Sequence, residues 1–240
     1  MLTLGIDTST DIAAIGLIDK DKFIGELNIS LHHQHSERLL VNIDHLFKES
    51  DYQIDDLEGL AVGLGPGSFT GLRIGLTTIK TFVQTLKIPV IGLSTLDILA
   101  YNKYQVKGWI VPVIDARRER VYTSIYRGGN RDIKKQKIKK DEALSLEKLY
   151  ENLNYICQEN PQKNNTFYLI GDGIISYREQ FKKMESDSHI NISYGTESEN
   201  IPAGGIIADL GQYYLEKGEE DKPEKILPNY LKKPQAEINW

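Results

Sequence analysis

Three aspartate turns and one glycine-rich turn hold the residues of this chain best equipped for chemistry. Asp7-Thr8-Ser9, Asp115-Ala116-Arg117-Arg118 and Gly171-Asp172-Gly173 each end a short strand-like run. A carboxylate at a strand end, followed by a hydroxyl and free backbone N–H groups, can hold a phosphate while it faces the accompanying ion. The same turn can also do no more than close a hairpin by bonding its own backbone. Asp7, Thr8 and Ser9 leave both readings open.

The glycine-rich turn is Gly65-Pro66-Gly67-Ser68-Phe69-Thr70-Gly71. An apolar run, Val62 to Leu64, leads in, and Leu72, Leu76, Ile79 and Val83 follow at helical spacing. It is not a Walker loop, because Leu72 stands where Lys should follow Gly71. Ser68 takes the place of the third glycine of a dinucleotide fingerprint. Ser68 is also no nucleophile elbow, since no residue separates it from Gly67. Gly71 and Gly75 lie one helical turn apart, so packing or partner contact is the expected use of this turn. Arg73 belongs to the same stretch.

Other candidates read as surface. His32, His33 and His35 precede a helix instead of sharing one face of it, and Cys157 is distant, so no metal site is expected. Lys134, Lys135, Lys137, Lys139 and Lys140 suit a solvated edge that discourages strand pairing. No aromatic residue interleaves with them as a stacking platform requires.

The net charge of -5 supplies no global field to draw in a polyanion, so any RNA is expected to be held by a partner. A single cysteine excludes a disulfide framework. No apolar run is long enough to span a bilayer, and Met1 to Gly5 reads as a strand start without a basic leader, so a cytoplasmic chain is expected.

These turns need strands and helices to position them. Leu2 to Ile6, Ile12 to Ile18 and Phe23 to Ile29 read as an antiparallel meander. A helix after Ser36 carries Leu39, Leu40, Ile43, Leu46 and Phe47. A strand at 57–64, a helix to about Lys87, a strand at 89–93 and a helix from Ser94 follow, giving βββαβαβα over 1–104. The opening pattern then recurs: apolar Trp109 to Ile114, an Asp turn, and alternating Val121 to Tyr126. This points to internal duplication, with a second lobe over 105–240. That lobe adds a helix from Ser145, a strand at 166–170, a last helix through Ile206, Ile207, Leu210, Tyr213 and Tyr214, and an extended tail from Pro223.

Gly5-Ile6-Asp7-Thr8-Ser9, the run from Gly65 to Gly75, Asp115-Ala116-Arg117-Arg118, Gly171-Asp172-Gly173 and Pro228-Asn229-Tyr230-Leu231 closely resemble the TsaB (YeaZ) family. The last motif usually continues with Arg, where this chain has Lys232. The resemblance implies an α/β, actin-like ATPase fold (ASKHA, RNase H-type) in two related lobes, each a mixed sheet flanked by helices. It implies a place in the bacterial complex that makes threonylcarbamoyladenosine beside the anticodon of tRNA. In that complex a TsaD-like catalytic subunit transfers the group and a TsaE-like ATPase docks on the pair.

The resemblance also implies a noncatalytic role, with no catalytic residue, cofactor or metal. The sister family carries two metal-binding histidines, i and i+4, where this chain has Thr95 and Leu99. A hydroxyl and an isobutyl group cannot replace two imidazoles. The partner surface is expected on two helices, through Leu39, Leu40, Ile43, Leu46 and Phe47 on one and Leu72, Gly75, Leu76, Ile79 and Val83 on the other. Because the partners share a fold, the same face would give a homodimer in the sister's absence. The rival readings are a small-molecule kinase using Asp7 and Gly171-Asp172-Gly173 around ATP, and a metallopeptidase.

Overall fold

The computed structural model describes residues 1–30, 35–160, 165–186 and 190–232. His32, His33, the side chain of His35, and the tail beyond Lys232 lie outside the described residues.

The chain forms two compact units, and the first opens with strands β1 (Leu2–Asp7), β2 (Ile12–Asp19) and β3 (Lys22–Ser30). Helix α1 (His35–Lys48), strand β4 (Gly59–Gly63), helix α2 (Phe69–Leu86), strand β5 (Val90–Leu93) and helix α3 (Thr95–Tyr101) follow. The sheet order is β3-β2-β1-β4-β5. β1 is antiparallel to β2 and parallel to β4.

The second unit has β6 (Trp109–Asp115), β7 (Arg120–Arg127), α4 (Ile133–Gln136), β8 (Lys137–Ser145) and α5 (Leu146–Glu159). It closes with β9 (Thr166–Ile170), α6 (Gly173–Ser176), α7 (Arg178–Glu185) and β10 (Asn191–Tyr194). Its order, β10-β9-β6-β7-β8, repeats the first sheet strand for strand. β6 is antiparallel to β7 and parallel to β9, as β1 is to β2 and β4. Two mixed sheets flanked by helices are the expected architecture. The lysine-bearing β8 is an edge strand, where charge discourages further pairing.

The expected division at 104 and 105 needs correction. The first unit comprises Met1–Ile98 and Pro202–Asn229, and the second takes Leu99–Ile201 and the chain from Tyr230 on. Helix α8 (Gly204–Leu215) therefore returns to the first sheet. The physical reason is a seam of small residues. Gly5 and Gly16 pair directly across β1 and β2. A Cβ on Gly5 would stand 2.4 Å from the Ala208 nitrogen, and one on Gly16 would stand 2.1 Å from the Gly204 carbonyl carbon. Gly204, Ala208 and Gly211 recur at i, i+4 and i+7, so one face of α8 lies almost backbone to backbone on the sheet.

The opposite face of the first sheet is apolar. Leu2, Leu4 and Ile6 alternate with Thr3, Gly5 and Asp7 and join Ile43 and Leu46 of α1 and Leu76, Ile79 and Val83 of α2 in one core. In the second unit Val111, Val113, Phe167 and Leu169 pack with Leu149, Leu153 and Phe181.

Candidate functional site

Asp7 ends β1 with no exposure at all. Its Oδ1 accepts the Ser9 N–H at 2.6 Å and its Oδ2 accepts the Thr95 hydroxyl at 2.8 Å. Ser9 Oγ lies 2.9 Å from Thr95 Oγ1, so three side chains close on one another. Burial pushes the Asp7 carboxyl above its ordinary value, against the opposing pull of the Ser9 and Thr95 hydrogen bonds. Gly63 faces the carboxylate, and a Cβ there would stand 1.9 Å from Oδ2.

The glycine-rich turn packs on this hairpin. Ser68 caps α2, accepting the Gly71 N–H on its side chain at 3.3 Å, and its own N–H goes to the Ser9 carbonyl at 2.5 Å. Thr8 Oγ1 donates to the Gly71 carbonyl at 2.7 Å. A Cβ on Gly67 would meet the Ser9 carbonyl oxygen at 2.1 Å, one on Gly71 the Thr8 carbonyl oxygen at 1.9 Å, and one on Gly75 the Thr8 hydroxyl at 2.5 Å. The motif is thus a close-packing device, as its glycine spacing predicts. Gly65 sits at φ +89, a conformation that favours glycine, and Pro66 is buried beside it. Thr70 and Arg73 point outward, and the Arg73 guanidinium lies 3.9 Å over the Phe69 ring.

The second unit makes the same turn with other neighbours. Asp115 Oδ1 accepts the Arg117 N–H at 2.7 Å and the Tyr177 hydroxyl at 2.7 Å, while Oδ2 takes Ser176 Oγ at 3.3 Å. Burial, then the bond to Asp115, pushes the Tyr177 phenol up to about 12, so it remains a donor. Asp172 Oδ1 accepts the Asp115 N–H at 3.0 Å, fastening the end of β9 to the end of β6. Gly171, at φ +116, and Gly173 let this turn pass the Val113 carbonyl, which a Cβ would meet at 2.3 Å and 2.9 Å. Beyond Asp115 the backbone is strained. Arg117, Arg118 and Glu119 adopt φ of 62, 56 and 55 in succession, each at a cost of about 1–2 kcal/mol. Lys232 Nζ donates to the Ala116 carbonyl at 2.5 Å and holds the start of this turn.

Each unit thus assembles the residues its sequence motifs offered, Asp7 to Ser9 with Gly65 to Gly75, and Asp115 with Gly171 to Gly173. Thr95, Tyr177, Ser176 and Lys232 complete these clusters. Sequence reasoning missed their roles because hydrogen bonds between residues far apart in the chain leave no local pattern. Two of them had a signal: Lys232 follows the Pro228-Asn229-Tyr230-Leu231 motif, and Thr95 was singled out by the resemblance to the sister family. Among the described residues, no group of three or more His, Cys, Asp or Glu side chains is placed to hold a metal ion.

The expected partner surface requires correction. Leu39, Ile43, Leu46, Phe47, Leu72, Leu76, Ile79 and Val83 are at most 8% exposed, and Gly75 is buried with them. They are the core of the first unit, because both stripes face the sheet and each other. Only Leu40, at 55%, faces out, joined by Val41 at 62% and Phe69 at 37%.

Comparison with known proteins places this arrangement. A family model described as TsaD: tRNA N6-adenosine threonylcarbamoyltransferase matches residues 29–240. The tRNA threonylcarbamoyladenosine biosynthesis protein TsaB of Bacillus subtilis is 30% identical over 240 residues, spanning 100% of this chain and 98% of that protein. The chain belongs to the TsaB family. The Escherichia coli TsaB is 32% identical over 128 residues, 52% of this chain and 55% of its own length. Among solved structures, YeaZ from Pseudomonas aeruginosa superposes with a TM-score of 0.74 at 22% identity, covering 96% of this chain and 99% of that one, which shows a shared fold. The TsaB family serves tRNA threonylcarbamoyladenosine biosynthesis. No helix among the described residues is long and apolar enough to cross a membrane.

Proposed function

We propose that this member of the TsaB family is the noncatalytic partner of a TsaD-like threonylcarbamoyltransferase and supports docking of a TsaE-like ATPase. The observation that carries the reading is the state of Asp7. Its carboxylate is fully buried, and both oxygens accept hydrogen bonds from within the first unit. A carboxylate that serves an ion or a nucleotide must present an oxygen to it. The position aligned with a metal-binding histidine of the sister family is Thr95, whose hydroxyl is committed to Asp7. Leu99, aligned with the other histidine, is buried and apolar.

Partner docking then falls to the outward faces of α1 and α2. Leu40, Val41 and Phe69 are the exposed apolar side chains there. The same face would serve a homodimer when the catalytic subunit is absent.

Reconstitution tests the role. The purified chain alone is expected to form no threonylcarbamoyladenosine, to bind no stoichiometric metal, and to turn over no ATP. With the transferase, the ATPase and tRNA, the modified nucleoside appears and depends on this chain. Val41→Asp, at an exposed position, should leave the thermal melt unchanged and weaken co-purification with the transferase by tenfold or more. Metal-dependent or ATP-dependent turnover by the lone chain would replace this reading with an enzymatic one.

A further inference from the structure

We propose that the β6–β7 turn, with Arg117, Arg118, Arg120 and Lys232, is a contact site for the phosphodiester backbone of RNA. The inference rests on the family's work on tRNA, but not on the docking face assigned above.

Position comes first. In open α/β sheets, ligands collect beyond the carboxyl ends of the strands, where connections leave in opposite directions. β6 is that strand in the second sheet, with β7 on one side and β9 on the other. The turn extends its carboxyl end.

The charge there is only partly compensated. Arg120 donates to the Ala143 carbonyl at 2.5 Å and Lys232 to the Ala116 carbonyl at 2.5 Å, so two cations are held by neutral main-chain groups. Asp115 is engaged by Tyr177, Ser176 and the Arg117 N–H, with the Arg117 guanidinium 3.7 Å away. Glu119 is the turn's other carboxylate and Asp172 stands behind Asp115, so four cations meet three anions. Burial first, then repulsion from Arg120, opposed by the attraction of Asp115 and aided by Arg118, draws the Lys232 ammonium below its ordinary value. An arriving phosphate relieves that repulsion.

Shape selects the kind of phosphate. Residues 117–120 are all exposed, and the Arg117 side chain is 84% accessible. Compact nucleotides are held in concave sites that bury most of their surface. Cations spread along a protruding turn suit successive phosphates of a chain, with no base contact required. Three consecutive left-handed residues fix the turn in this shape, and backbone strain of this kind gathers at functional sites. The equivalent turn of the first unit, Thr8-Ser9-Thr10-Asp11, carries no cation. A chain with a net charge of -5 repels RNA at long range, so contact requires a local cluster of this sort.

The test is fluorescence anisotropy of labelled, unmodified tRNA across a salt series, with the full chain alone and in complex with the transferase. Arg117→Gln/Arg118→Gln should weaken binding about tenfold and reduce the slope of log K against log salt by about 2. Lys232→Gln should reduce it by about 1. Lys134→Gln/Lys140→Gln makes the same charge change elsewhere and should leave binding within twofold. Melting curves establish that the variants are folded. If the turn variants match wild type in both settings, or the control weakens as much as they do, the proposal falls. Displacement of tRNA by millimolar ADP would reassign the turn to a nucleotide and equally overturn it. Failure of the reconstituted wild-type system to make the modified nucleoside, with these binding differences intact, would count against the scaffold role, not against this site.

Discussion

At the ends of β1 and β6 the chain makes one backbone device twice. Asp7 accepts the Ser9 N–H at 2.6 Å, and Asp115 accepts the Arg117 N–H at 2.7 Å. Strand order and direction around the two turns are the same. Their surroundings are not. Four glycines, at 63, 67, 71 and 75, allow backbone and hydroxyl groups to close over the first turn until Asp7 has no exposure. The second turn retains a partly open carboxylate, a strained Arg-Arg-Glu tip and an attendant lysine. The fold supplies the carboxylate in both places. What packs against the strand end decides whether it becomes core or surface.

The sharpest way to break this contrast is at a glycine. Gly71→Ala drives a methyl group into the Thr8 carbonyl, so a loss of about 3 kcal/mol or more, or no soluble protein, is expected in thermal melts. Gly129→Ala in the second unit meets nothing within 4 Å and should cost only the left-handed conformation, about 1 kcal/mol. Equal losses would show that the first turn is not sealed by close packing.

The carboxylates should answer differently to amidation. Burial holds the folded Asp7 carboxyl above the value of 3.8 expected for an unfolded chain, so the folded state takes up the proton first. Stability therefore falls as pH rises from 3.8 through the folded value, and the penalty is complete above it. Asp7→Asn retains an acceptor for the Ser9 N–H and offers a donor to Thr95. It should melt higher than wild type at pH 7, with the gain vanishing below pH 4. Asp115→Asn should melt no higher at pH 7, and ultraviolet titration should show the Tyr177 phenol falling from about 12 toward 10, as a charged neighbour is lost while burial remains. An unmoved phenol would remove Asp115 from the causes of its shift.

The smallest effect belongs to the clamp. Lys232→Ala removes one hydrogen bond to Ala116 and should cost about 1 kcal/mol, with no change in far-ultraviolet circular dichroism.

The legible parts of the molecule were those written in local pattern. Strand, Asp turn, strand occurs twice within short windows, and the glycine spacing announces close approach. Two kinds of information were not local. The stripes of α1 and α2 say that one side of each helix is buried, but not what buries it, and the sheet claims what was expected for a partner. Helix α8 reads through Ile207, Leu210 and Tyr214, while its destination is set by Gly204, Ala208 and Gly211 meeting Gly5, Gly16 and Ala61. That fit is legible only when both surfaces are seen. β10, α6 and α7 are short and flanked by polar residues, too brief for periodicity to register.

The central claim is that the first unit's carboxylate is structural. Its most direct test is the initial rate of threonylcarbamoyladenosine formation by the reconstituted system carrying Asp7→Asn, with assembly verified by size exclusion. The account predicts a rate within about threefold of wild type. A fall of a hundredfold or more in an intact complex would mean that Asp7 takes part in the chemistry.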